Sequence, residues 1–230
     1  MEFGDLQLTS HAGLELFSQC LRRAEFNRAV REAFAGAPLG GNFGAVAMVR
    51  LLVGLLVIGG RRLRHLAFAA GDPVFRRVCH MRVIPAARPV PRRLTAFTMT
   101  TVERLQRVHA AVIAQVAPGL RLRTITTDAD DVVVSTGVQV ERGFQGFSPP
   151  HGKAPSYYPI LAHSAATAPV RRVRNRSGNV HDEKASLLFL CALWAQVAAT
   201  TAAGQAVRFH MAGAFFRRAV LRWPEARGAG

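Results

Sequence analysis

Three aspartates fall within four residues, Asp128, Asp130 and Asp131, in a chain otherwise rich in arginine. They sit where one β-branched run, from Thr124, meets another, Val132 to Thr136. Residues two apart on a strand share a face, so Asp128 and Asp130 project together and Asp131 points away. Carboxylates on adjacent strands are the hard oxygen ligands that can clamp two divalent ions for phosphoryl transfer. Asp is also a common turn former, and spacing alone favours a solvated strand end or turn over a metal site. A second set, Arg171, Arg172, Arg174 and Arg176, alternates along a later strand and its exit. It suits either a phosphate-contacting edge or a solvated strand face.

Positioning these groups requires a sheet. Thr124 to Asp128 and Val132 to Thr136 read as strands, followed by a loop rich in Gly, Pro and aromatics. Tyr157 to Ala165 and Val170 to Arg174 form an expected hairpin turning at Thr167 to Pro169. Leu187, Leu190, Cys191, Trp194 and Val197 line one face of a helix expected from about Glu183 to Ala202, capped by Asn179 or Asp182. Gly204 ends it, Ala206 to Met211 is a short buried strand, and Ala214 to Trp223 opens one more helix. Strands mixed with helices in this order belong to an α/β sheet with helices packed on it. His181 suits helix capping, and Tyr157 and Tyr158 suit packing in the sheet better than stacking on bases.

The first half of the chain reads as helices. Leu14, Phe17, Leu21 and Phe26 give helical spacing over residues 9–35, with Ser10 as the expected N-cap. Phe43 to Ile58 is apolar, interrupted by Arg50 and closed by Gly59-Gly60. It is too short for a membrane span and is expected to be a buried helix. Pro73 suits the first position of another helix. Residues 74–117 continue the pattern, with Val102, Leu105, Val108 and Val112 as a core stripe. Pro85, Pro89 and Pro91 should break it, because proline cannot occupy a helix interior. An array of this kind suits a DNA-binding helix-turn-helix or an ordinary bundle with a basic face. The boundary between a helical region, 1–118, and a strand-rich region, 119–230, falls near Pro118-Gly119.

Of 30 basic residues, 28 are Arg, and the formal net charge is +16. That surplus favours a polyanionic partner, though GC-rich coding would produce the same bias. Cys20, Cys79 and Cys191 lie far apart, which argues against a zinc site or disulfide scaffold and fits a reducing cytoplasm. The first ten residues lack the pattern of a secretory signal, so a cytoplasmic location with no membrane partner is expected.

Four segments together carry a resemblance: Asp128-Ala129-Asp130-Asp131-Val132, Gly143-Phe144, Pro155-Ser156-Tyr157-Tyr158-Pro159, and Asn175-Arg176-Ser177-Gly178-Asn179-Val180-His181-Asp182. This run resembles the DDE transposases of bacterial insertion sequences. The resemblance implies a partial RNase H-like mixed β-sheet with flanking helices, and transposition of inverted-repeat DNA ends with Mg2+. It implies Asp130 as the first catalytic and metal-binding acid, with Asp128 in reserve, and leaves room for a homo-oligomer. The family's second Asp follows a later strand in a pattern here reading Phe209-His210-Met211-Ala212-Gly213-Ala214-Phe215-Phe216, which places Ala212 at that position. The third acid would fall beyond Gly230. A truncated copy lacking two of three carboxylates is not expected to hold the metal pair or to catalyse strand transfer. The alternatives are a non-catalytic DNA-binding remnant that competes with an intact transposase, or a non-functional fragment. A shortened sheet should also leave apolar surface uncovered.

Overall fold

The computed structural model describes all residues except 1–7, 38–42, 96, 117–121, 137–139, 141–142, 149–151, 168, 182–184, 216–217 and 229–230. The chain divides into two compact units, residues 1–112 and 113–230. The expected boundary at Pro118-Gly119 lies outside the described residues.

The first unit is helical: α1 (Gly13–Arg23), α2 (Phe26–Ala33), α3 (Ala45–Val57), α4 (Leu66–Ala69), α5 (Pro73–Val78), α6 (Pro89–Leu94) and α7 (Met99–Val116). The helix expected over 9–35 is two helices. Glu25 adopts a left-handed backbone with φ 48°, and this bend lets Leu21 and Phe26 both be buried. Ser10 does not cap α1, which starts without a side-chain cap. Instead the Thr9 hydroxyl donates to Asp72, which in turn caps α5 by accepting from the Phe75 N–H at 2.9 Å.

The apolar helix α3 is buried, with Met48, Leu51 and Leu55 packed against Leu14, Leu66, Phe75 and Val78. Arg50 is 1% exposed. It donates to Asn27 Oδ1 and to the Val78 carbonyl, both at 2.7 Å, and its guanidinium lies over the Phe26 ring. No helix among the described residues is long and apolar enough to cross a membrane. The expected break falls between α5 and α6 and holds Pro85, while Pro89 and Pro91 occupy the first turn of α6, where backbone N–H groups need no intrahelical partner. Leu105, Val108 and Val112 of α7 pack with Phe26, Val30 and Val49, whereas Val102 is exposed and drops out of the expected stripe.

The second unit holds β1 (Thr124–Asp131), β2 (Val134–Ser135), β3 (Phe144–Ser148), β4 (Gly152–Tyr157), β5 (Ile160–Ser164), β6 (Val170–Arg174), α8 (Ser186–Ala198), β7 (Ala206–Met211) and α9 (Arg218–Glu225). The larger sheet has the order β6-β5-β1-β7, and β2-β4-β3 form a smaller one. β1 pairs antiparallel with β5 and parallel with β7. A parallel partner requires a crossover, which α8 supplies. Ile125, Ala129, Ile160, Ala162, Val207 and Phe209 face Phe189, Leu190, Leu193 and Val197 of α8 and Val220 of α9. This is the expected mixed α/β architecture, helices first and sheet second.

Three details differ from expectation. The acids lie within β1 rather than beyond its end, because pairing with β5 extends to Asp131↔Ile160. The glycine-rich loop contributes the hairpin β3-β4, whose alternation is hidden by Gly and Pro. The helix α8 starts at Ser186, after Ala185 turns through a left-handed φ of 64° without a side-chain cap. Asn179 instead accepts from the Ser177 hydroxyl at 2.7 Å, and Asp182 lies outside the described residues. Val132, Val133, Val134 and Phe144 are exposed.

Candidate active site

β1 sorts the three acids by strand parity. Ile125, Thr127 and Ala129 are buried beneath α8, and the Asp131 side chain follows them to the same face. Asp128 and Asp130 share the opposite face, with the Asp128 side chain 31% exposed and Asp130 exposed. The alternation read from the sequence is therefore the one the backbone adopts. Asp130 Oδ1 accepts from the Asp131 N–H at 2.8 Å.

Asp131 is a structural acid. It forms an ion pair with Arg176, and each side chain is only 4% exposed. Arg176 also donates through Nε to the Tyr158 carbonyl at 2.9 Å and through Nη1 to the His181 carbonyl at 3.4 Å. Its guanidinium stacks over the Tyr158 ring, 5.0 Å from the centroid. This cation ties the end of β1 to the β4–β5 connection and to the segment that leads into α8. The next turn passes against β4, with Ser177 bridged to Tyr157. A Cβ on Gly178 would strike the Ser156 hydroxyl and carbonyl and lie 2.7 Å from the Phe144 carbonyl. Glycine is required there by close backbone approach.

The expected DNA-contacting arginines divide for the same reason. Arg171 is 3% exposed and donates to Ser164 Oγ at 2.7 Å and Thr200 Oγ1 at 3.3 Å. Burial pushes its guanidinium below the usual arginine range. A register shift between Ala162 and His163 places Arg171 on the α8 side of β6. Arg171 and Arg176 are thus bound inside the fold and are not offered to a phosphate. Arg172 and Arg174 are half-buried. Simple alternation fails as a guide wherever a bulge intervenes.

Two neighbours of Asp128 escape sequence reasoning. His163 of β5 and His210 of β7 are the direct register partners of Asp128. His163 Nε2 lies 3.3 Å from Asp128 Oδ2, and His210 Nδ1 lies 3.1 Å from Asp128 Oδ1. The result is a row of imidazole, carboxylate and imidazole across three adjacent strands. Each histidine occupies an outward position of its strand, but only the pairing of β1 between β5 and β7 makes them neighbours.

The carboxylates lie centrally in a sheet of order β6-β5-β1-β7, beside a parallel strand that leads toward a short helix. The sequence model of the transposase DDE domain group 1 matches this chain over residues 1–230. The chain belongs to the DDE transposase family. No curated protein matches it. The mixed sheet with α8 and α9 is accordingly a partial RNase H-like fold.

DDE transposases act on DNA and generally use divalent metal ions. The residues present fit that pair of ions poorly. Both oxygens of Asp128 face imidazole nitrogens, whereas Mg2+ demands an oxygen shell. Beyond β7 the chain offers Ala212, whose methyl group cannot ligate. Among the described residues, no three His, Cys, Asp or Glu side chains converge so that they could hold a metal ion.

Proposed function

We propose that this DDE transposase chain binds the inverted-repeat ends of an insertion sequence without cutting them. The observation that carries the proposal is the floor of the β1–β7 pair. There Asp128 is flanked by His163 and His210, and the position that resembles the family's second aspartate is Ala212. A two-ion clamp holds its metals through carboxylates shared between strands, and removing one generally abolishes turnover rather than reducing it. Asp130 and Asp128 remain the residues that resemble the family's first catalytic acid. Their outward face and exposure are consistent with that ancestry.

DNA binding follows from the family together with the charge of +16. Arg172 and Arg174 are the members of the β6 cluster suited to phosphate contact, because their side chains are not enclosed. The helical unit is the other basic surface, and self-association on paired DNA ends is consistent with both. A chain that holds DNA ends without cutting them would compete with an intact transposase for those ends.

The test is incubation of the purified chain with labelled inverted-repeat duplex in Mg2+ or Mn2+, scored for both binding and nicking. The expected result is salt-sensitive, end-preferring binding, with log affinity falling linearly against log salt, and no nick. Metal-dependent nicking lost in both Asp130→Ala and Asp128→Ala would refute the non-cutting reading. Binding that ignores the inverted repeat would refute the competitor role.

A further inference from the structure

The turn between α3 and α4 displays an aromatic ring that the fold goes out of its way to expose. Phe68 is 84% exposed, while Leu66 and Ala69 on the same short helix are 1% and 0% exposed. The helix is therefore anchored in the core and presents Phe68 rigidly to solvent. His65 stands against it, with ring centroids 5.9 Å apart and planes tilted by 42°. The imidazole is itself fixed, because its Nδ1 accepts the Arg61 N–H at 3.2 Å, which assigns the proton of the neutral ring to Nε2. Arg61, Arg62 and Arg64 are exposed in the same turn. Among the described residues none of these three guanidinium groups has an acidic partner.

We infer that this turn is a stacking site for an unpaired DNA base. Phe68 supplies the platform, His65 backs it, and Arg61, Arg62 and Arg64 engage the flanking phosphates. Aromatic rings bind bases through their π-faces with little sequence preference, and planar guanidinium groups pair bidentately with phosphate. One isolated ring within a cluster of cations matches an unstacked base in a polyanionic chain, and the family's DNA substrate supplies that polyanion. The inference rests on the DNA-binding reading above and deepens it by naming the kind of DNA structure that is held.

The experiment uses the full chain and 2-aminopurine as the reporter. Two duplexes of identical sequence are compared, one with 2-aminopurine fully paired and one with it opposite an abasic site. Wild type should bind the unpaired probe more tightly and quench its fluorescence. Phe68→Ala should weaken that probe by about 5- to 150-fold, the range for losing one stacked base, and leave the paired probe within about twofold. Phe68→Trp should retain the preference, which controls for misfolding. The triple change of Arg61, Arg62 and Arg64 to Ala should weaken both probes and lower the salt slope by about 3. Equal affinity of wild type for the two probes, or equal loss on both with Phe68→Ala, overturns the stacking site while leaving the DNA-binding reading intact. Absence of binding to either probe overturns both. Phe68-dependent binding to anionic phospholipid vesicles, or Phe68-dependent self-association without probe preference, would assign the turn to another partner and overturn the inference.

Discussion

Asp131→Ala should cost the fold far more than Asp128→Ala, although the two residues are three apart on one strand. Asp131 and Arg176 are each 4% exposed, so removing the carboxylate leaves a buried cation without its counter-charge. Breaking a buried pair in this way costs about 3–5 kcal/mol. A domain of this size holds about 5–15 kcal/mol in total, so the loss is a large fraction of the unit's stability. Asp128, with a 31% exposed side chain and histidine partners that are more exposed still, should lose no more than about 1 kcal/mol. Trp194 and Trp223, the two tryptophans, both pack against Phe209 in the second unit. Tryptophan emission during urea unfolding therefore reports that unit alone. With a slope of about 2 kcal/mol per M, Asp131→Ala should lower the midpoint by about 2 M and Asp128→Ala by less than about 0.5 M. Pairing Asp131→Ala with Arg176→Met should recover part of the loss, because the orphaned charge is then removed. Equal shifts for the two Asp variants, or strict additivity in the double variant, would refute the assignment of Asp131 as the structural acid.

Gly178→Ala should cost about 1–3 kcal/mol by overpacking against β4, since two of the three atoms a methyl group would meet are backbone oxygens. Amide exchange should quicken first in Phe144–Ser148 and Gly152–Tyr157. Burial pushes the Cys79 thiol up to about 12, so a disulfide reagent at neutral pH should label the exposed Cys20 and Cys191 promptly and Cys79 only after unfolding. Burial raises the Asp72 carboxyl, but hydrogen bonds from Phe75, Thr9 and Ser10 outweigh it and hold the group below the usual range. A depressed carboxylate stabilises above the unfolded value of about 3.9, and that contribution fades as pH falls through the folded value. Asp72→Ala should therefore cost about 1 kcal/mol at neutral pH, and the gap from wild type, followed by far-ultraviolet circular dichroism, should close in acid.

The elements were readable where local chemistry decides them. Apolar periodicity and Gly59 delimit α3, Pro73 starts α5, and alternation places Asp128 and Asp130 on one face of β1. Reading failed where the backbone took an option that side-chain patterns do not encode. Glu25 and Ala185 adopt left-handed conformations usually left to Gly or Asn, so the break after α1 and the start of α8 were unmarked. The prolines do mark a break in the 74–117 pattern, but that a new helix opens at Pro89 itself was unmarked. The Arg171 assignment failed on a single register shift, and the His163–Asp128–His210 row depends on contacts that reach from Asp128 to residues 163 and 210, brought beside it only by strand order.

The motif residues divide into two physical classes, those that hold the fold together and those whose side chains the packing does not constrain. Asp131, Arg176 and Gly178 hold the end of β1, the small sheet and the approach to α8 together through burial and close backbone contact. Changing any of them is expected to damage folding. Ala212, by contrast, is exposed just beyond β7, where a carboxylate or a methyl group is equally compatible with the packing. An exchange between those two groups at this position leaves the packing unchanged. Ala212→Asp should therefore leave the unfolding free energy from urea titration within about 0.5 kcal/mol of wild type, the usual span for a surface substitution. A large destabilisation would mean that the methyl group is structurally required, and the separation of folding residues from chemical ones at this site would not hold.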